Sequence, residues 1–148
     1  MMAKGSREKS PDRHSAILAD EGRKFASGGH ADVWLVGEAK SEYVALLARK
    51  DTNSRKAAIQ LPRYFDRYAN GQRLSEDQFK PQGQKKSGHH TMQVWEFKGF
   101  QYRIYGVVVD VAGKRTFIGT EPDPKKKDNK ADASIVQRAL DTYVRMFK

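Results

Sequence analysis

An α+β fold is predicted by three features of the sequence. Residues 92–97, 102–109 and 115–119 are rich in β-branched and aromatic side chains and are separated by short breaks at Gly99 and at Ala112-Gly113-Lys114. Ahead of them, residues 38–49 and 52–69 place apolar side chains at near-helical spacing, and residues 135–144 do so behind them. The expected order is therefore an N-terminal strand, two helices, a long loop, an antiparallel meander of three strands, and a C-terminal helix.

Each element has its own justification. Residues 1–30 are basic, polar and interrupted by Gly5, Pro11, Gly22 and Gly28-Gly29, with only short apolar clusters, so a flexible arm outside the core is expected, with at most one helical turn near Ile17. The domain proper is placed at residues 31–148. Ala31-Asp-Val-Trp-Leu-Val-Gly reads as a short strand closed by glycine. Tyr43, Val44, Leu46 and Leu47 then mark the first helix, and Ala58, Ile59, Leu61, Phe65 and Tyr68 the second. Pro62 falls inside that second pattern; proline lacks the amide donor and crowds the preceding turn, which predicts a kink or a fresh start there. Asn70-Gly71 ends the helix, and the polar tract through Gly88 is expected to be a surface loop. Ile135, Val136, Ala139, Leu140, Tyr143 and Val144 define the apolar face of the closing helix, while Trp34, Trp95, Phe97 and Phe117 are assigned to packing.

Composition narrows the partners. With 28 Lys+Arg against 18 Asp+Glu, the chain carries a formal charge of +10, which favours a polyanion, an anionic membrane surface or an acidic protein. Cysteine is absent, so disulfides, thiolate metal sites and a cysteine nucleophile are excluded. No apolar run approaches the roughly 20 residues that span a bilayer, and the N-terminus lacks the uninterrupted apolar stretch of a secretion signal. An unsecreted, cytoplasmic protein without a membrane partner is the expectation.

Val94-Trp95-Glu96-Phe97-Lys98, then Tyr102-Arg103-Ile104-Tyr105, then Phe117-Ile118 leading into Lys125-Lys126-Lys127, stand in an order that resembles the RelE/ParE/HigB superfamily of bacterial toxins, closest to HigB-like and phage-derived members. The resemblance spans about residues 33–144. It implies a RelE-like fold and, most directly, an endoribonuclease that cuts messenger RNA in the translating ribosome, with a cognate antitoxin as protein partner. ParE-like members instead act on DNA gyrase, and a non-enzymatic RNA- or ribosome-binding protein of the same fold is a further alternative. The family's lysines on the strand before the Tyr-Arg pair are replaced here by Val94 and Glu96.

The candidate site follows from what RNA cleavage requires: removal of the 2′-hydroxyl proton, stabilisation of charge on the phosphate, and a proton for the departing oxygen. Arg103, matched by the resemblance, suits the second task because its planar guanidinium stays charged and engages two phosphate oxygens; its plainer reading is an ion pair with Glu96 or another carboxylate. His90 and Tyr105 are the expected proton-transfer groups, together with Lys126 of the basic cluster. For His89 and His90, a solvent-exposed pair is the plainer alternative. Strand alternation puts Tyr105 on the face of Arg103, with Tyr102 and Ile104 on the other. Lys85, Lys86, Lys98, Lys125 and Lys127 are assigned to the RNA backbone. Cationic side chains can carry the electrostatic work, so neither metal nor cofactor is expected.

Overall fold

The structure, a computed structural model, describes residues 12–124 and 131–148. Its elements run α1 (Arg13–Glu21), β1 (Gly22–Ser27), β2 (Ala31–Val36), α2 (Gly37–Ala48), α3 (Thr52–Ala69), β3 (Phe79–Ser87), β4 (His90–Gly99), β5 (Tyr102–Val111), β6 (Lys114–Pro124) and α4 (Ala133–Phe147). All six strands join one mixed sheet in the order β1-β2-β6-β5-β4-β3. Neighbouring strands are antiparallel except β2 and β6, which pair in parallel from Ala31 opposite Arg115 to Leu35 opposite Gly119. No helix among the described residues is long and apolar enough to cross a membrane.

The sheet separates two cores. On one face, Val33, Leu35, Phe97, Tyr102, Ile104 and Phe117 meet Tyr43 and Leu46 of α2 and Leu61, Phe65 and Tyr68 of α3. On the other, Val94, Tyr105, Val107 and Ile118 meet Val136, Ala139, Leu140, Tyr143 and Phe147 of α4, with Leu18 of α1 beside them. Aspartates open three of the helices: Asp12, Asp51 and Asp132 each accept from a backbone amide in the first turn, which satisfies a donor the helix cannot. Phe97 and Phe117 are fully buried and Trp34 and Trp95 half-buried, all in contact with the apolar cores.

Three expectations change and a fourth narrows. Residues 12–30 do not form a loose arm: α1 buries Leu18, β1 adds an edge strand to β2, and Phe25 meets Tyr43 edge to face with ring centroids 4.9 Å apart. The few apolar residues of this segment suffice because backbone pairing to β2 supplies the rest. Residues 1–11 lie outside the described residues. The polar tract holds a strand rather than a loop throughout, because β3 is an edge strand whose pairing is carried by its backbone and whose apolar contact is concentrated in Phe79, stacked on Trp95. Of the two outcomes expected at Pro62, the fresh start is excluded: α3 runs on through an exposed proline to Ala69. Finally, β6 extends to Pro124, so Glu121 and Asp123 lie in the sheet opposite Tyr105 and Arg103.

α1 is fastened by groups distant in sequence. Asp12 Oδ2 accepts from the Ala112 amide at 2.6 Å, in the β5–β6 turn where Ala112 and Gly113 have φ of 51° and 82°. His14 Nε2 lies 2.7 Å from the Tyr143 hydroxyl, and its ring stacks on Phe147. Burial holds the His14 imidazole below its ordinary value, with Lys148 and Arg13 acting the same way and Asp12 opposing. The unfolded chain then takes up a proton more readily than the native one, so stability should fall as pH drops below about 6.5, the free imidazole value. Melting curves at pH 7.5 and 5.5 test this: His14→Gln should flatten the difference, and an unchanged difference would remove His14 as its source.

Candidate functional site

Strand register builds the site. Lys98, Arg103 and Asp123 form one rung across β4, β5 and β6, and Glu96, Tyr105 and Glu121 form the next. Lys80 of β3 stands opposite Glu96 at the edge. Tyr102 and Ile104 belong to the core under α2 and α3, whereas Tyr105 belongs to the core under α4. The two rungs therefore gather charged groups on the α4 side of the sheet.

Arg103 and Glu96 lie at the centre, 1% and 0% exposed. Arg103 Nη1 stands 3.2 Å from Glu96 Oε2, and Gln82 Nε2 donates to Glu96 Oε1. Gln82 reaches the carboxylate because the register of β3 against β4 slips between Pro81 and Gln84, with Gly83 at φ 100°; an edge bulge of this kind re-aims a side chain. Burial pushes the Glu96 carboxyl above its ordinary value, and Arg103, Lys80, Gln82 and Lys98 pull against it. Burial likewise pushes the Tyr105 phenol up, reinforced by Glu96. Arg138 Nε donates to Glu121 Oε1 at 3.0 Å and Thr142 donates to Oε2 at 3.3 Å, fastening α4 to the neighbouring rung.

This constellation combines a carboxyl displaced toward neutrality with a fixed guanidinium, the pairing that general acid–base chemistry at a phosphate uses. Among the described residues, no group of three or more His, Cys, Asp or Glu side chains is placed to hold a metal ion.

The sequence-derived residues divide accordingly. Arg103, Tyr105 and Lys98 come together, although Arg103 is engaged with Glu96 and Tyr105 is buried. His90 does not join them: it pairs with Ser87 at the β3–β4 turn, eight residues along β4 from Lys98, about 27 Å at strand rise. Lys85 and Lys86 pair with Met92 and Thr91 toward the same turn and are also remote from Arg103. Lys125, Lys126 and Lys127 lie outside the described residues. Two residues not assigned a chemical role from the sequence enter, Glu96 as a carboxyl rather than as a partner for arginine, and Gln82 from a tract expected to be loop. The signal for Glu96 is alternation along β4, which puts Val94, Glu96 and Lys98 on one face.

Compared with protein-family models, curated proteins and solved structures, the chain gives no match.

Proposed function

We propose that this chain is the toxin of a toxin–antitoxin pair with a RelE-like fold, acting in the cytoplasm as a metal-independent endoribonuclease on messenger RNA at the ribosome. One observation carries the reading: Glu96 and Arg103 are buried against each other on the sheet, a costly arrangement for two charged groups. Two supports accompany it. With α1, β1 and β3 set aside, the remaining elements β2, α2, α3, β4, β5, β6 and α4 follow the order the resemblance implies, and the charge of +10 suits an RNA partner.

In this mechanism Glu96 takes the proton of the attacking 2′-hydroxyl, in place of the lysines its strand lacks. Arg103 holds the phosphate as negative charge builds on its oxygens. Tyr105, protonated at neutral pH, gives a proton to the departing 5′-oxygen, and the products are a 2′,3′-cyclic phosphate and a 5′-hydroxyl. A phosphate reaches Arg103 only once the side chains over the pair, Gln82 among them, move aside.

That same burial favours a second reading, a ribosome- or RNA-binding protein in which the pair is structural. Glu96→Gln separates the two, since the amide keeps the shape of the carboxylate and cannot act as a base. Cleavage of translated messenger should fall about 10²–10⁴-fold while ribosome association persists. Undiminished cleavage by the folded variant would remove Glu96 from the chemistry, and a wild type that binds ribosomes without cutting would select the binding protein.

A further inference from the structure

A cavity of about 370 Å³ opens on the opposite face of the sheet, between the start of α3 and the β4–β5 turn. Leu46, Ala57, Tyr102 and Pro124 supply apolar lining, with Arg49, Asn53 and Gln101 among the polar groups. Asp51, also in the wall, is engaged as the N-cap of α3. The volume falls at the small end of the roughly 300–1,000 Å³ typical of small-molecule sites.

Two observations separate this cavity from an accident of packing. Gln101 has φ 52°, a left-handed conformation that glycine or asparagine adopts far more readily, so the turn carries a glutamine at a conformational cost. Residues held in such strain cluster at functional sites. Its side chain is also directed to a partner: Asn53 Nδ2 donates to Gln101 Oε1 at 3.3 Å, which sets two carboxamides side by side. Phe100, next in the turn, offers an aromatic ring with the Lys56 ammonium 4.7 Å from its centroid.

Carboxamides pair with the donor–acceptor edge of adenine, aromatic rings stack on unpaired bases, and cations hold the attached phosphate. We propose that this cavity binds an unpaired adenine base, presented by single-stranded RNA or by a free nucleotide. The inference rests on the RNA-directed reading and deepens it, placing base recognition on the face opposite Glu96 and Arg103. Asn53 and Gln101 read the base edge, Phe100 stacks on it, and Arg49 and Lys56 face the phosphate.

The test uses the full chain and fluorescence anisotropy with A₉ and U₉ RNA, beside NMR titration with AMP and UMP. Wild type should bind A₉ about tenfold more tightly than U₉. Gln101→Gly relieves the turn while removing the carboxamide, so it should melt no lower than wild type and bind both RNAs equally; Asn53→Ala, at an exposed position, is the second variant. Equal binding of A₉ and U₉ by wild type, or a preference surviving in both variants, overturns the cavity and leaves the ribonuclease reading standing. AMP-specific shifts at Asn53 and Gln101 without RNA binding would keep the adenine site and assign its base to a free nucleotide, overturning its presentation by RNA.

Discussion

Gly106→Ala should destabilise the protein by about 3 kcal/mol or more, the upper end for overpacking. At Gly106, β5 and β6 approach so closely that an added Cβ would lie against the Ile118 carbonyl oxygen and 2.7 Å from the Gly119 Cα. These are backbone atoms of the paired strand, so no side-chain rotation relieves the contact and the sheet itself must shift. The position also adjoins a bulge: Tyr105 pairs with Glu121 and Gly106 with Gly119, leaving Thr120 over, and the Thr120 hydroxyl donates to the Ala139 carbonyl of α4 at 2.7 Å. Moving the strands therefore loosens α4 as well. For a chain of this size the loss corresponds to a melting temperature roughly 10 °C lower. Gly29→Ala, where a Cβ meets nothing within 4 Å, should change it little, and equal melting of the two variants would contradict the argument.

Arg103→Ala should cost about 3–5 kcal/mol, because it leaves Glu96 buried without its guanidinium. The loss should depend on pH. A carboxyl raised in the native state favours folding at pH values below its ordinary range and gives that contribution up as pH rises through the raised value. Removing Arg103 takes away a group that pulls the Glu96 pKa down, so raising the pH from 5.5 to 8 should weaken Arg103→Ala more than wild type. Urea denaturation at the two pH values measures this, and parallel changes in both proteins would show that Glu96 is not the source. Replacing the pair together, Glu96→Leu with Arg103→Met, should recover much of the stability. Because Arg103→Ala disturbs the fold, lost cleavage in that variant says less about chemistry than Glu96→Gln does.

Elements that bury a regular apolar face were readable from sequence. α4 repeats Val136, Ala139, Leu140 and Tyr143 toward the sheet, and β4, β5 and β6 follow from their β-branched and aromatic runs. β3 was not readable, since Pro81, Gly83 and the polar side chains of Phe79–Ser87 suppress every local strand signal and only the waiting edge of β4 makes it a strand. β1 was hidden for a related reason, since Phe25 matters through the core it reaches, and of α1 only a single turn near Ile17 was legible, although Ile17 and Leu18 both reach the second core. Within the site, Arg103 and Tyr105 share a face as alternation requires, and pairing of Arg103 with Glu96 was one of two readings open to it. The displacement of the Glu96 carboxyl depends on burial, and the approach of Gln82 on a bulge, neither of which a one-dimensional pattern displays. His90 illustrates the converse, for it is close to the meander in sequence yet at the far end of β4.

The position of β6 bears on how the chain assembles. Last of the described strands to be synthesised, it lies between β2 and β5 and, among the described residues, supplies the strand pairing that joins the N-terminal hairpin to the β3-β4-β5 portion of the sheet. Until Lys114–Pro124 has emerged, the β1–β2 hairpin has no further strand beside it, and the apolar surfaces on both sides of the gap stay open. Joining Ala31 to Arg115 closes a long loop before any parallel pairing rewards it, which places the entropic barrier late and makes folding slow for a domain of this length. A nascent chain stalled before β6 is thus strongly exposed to aggregation or proteolysis, and completion of one strand joins its two parts into a continuous sheet that α4 then covers.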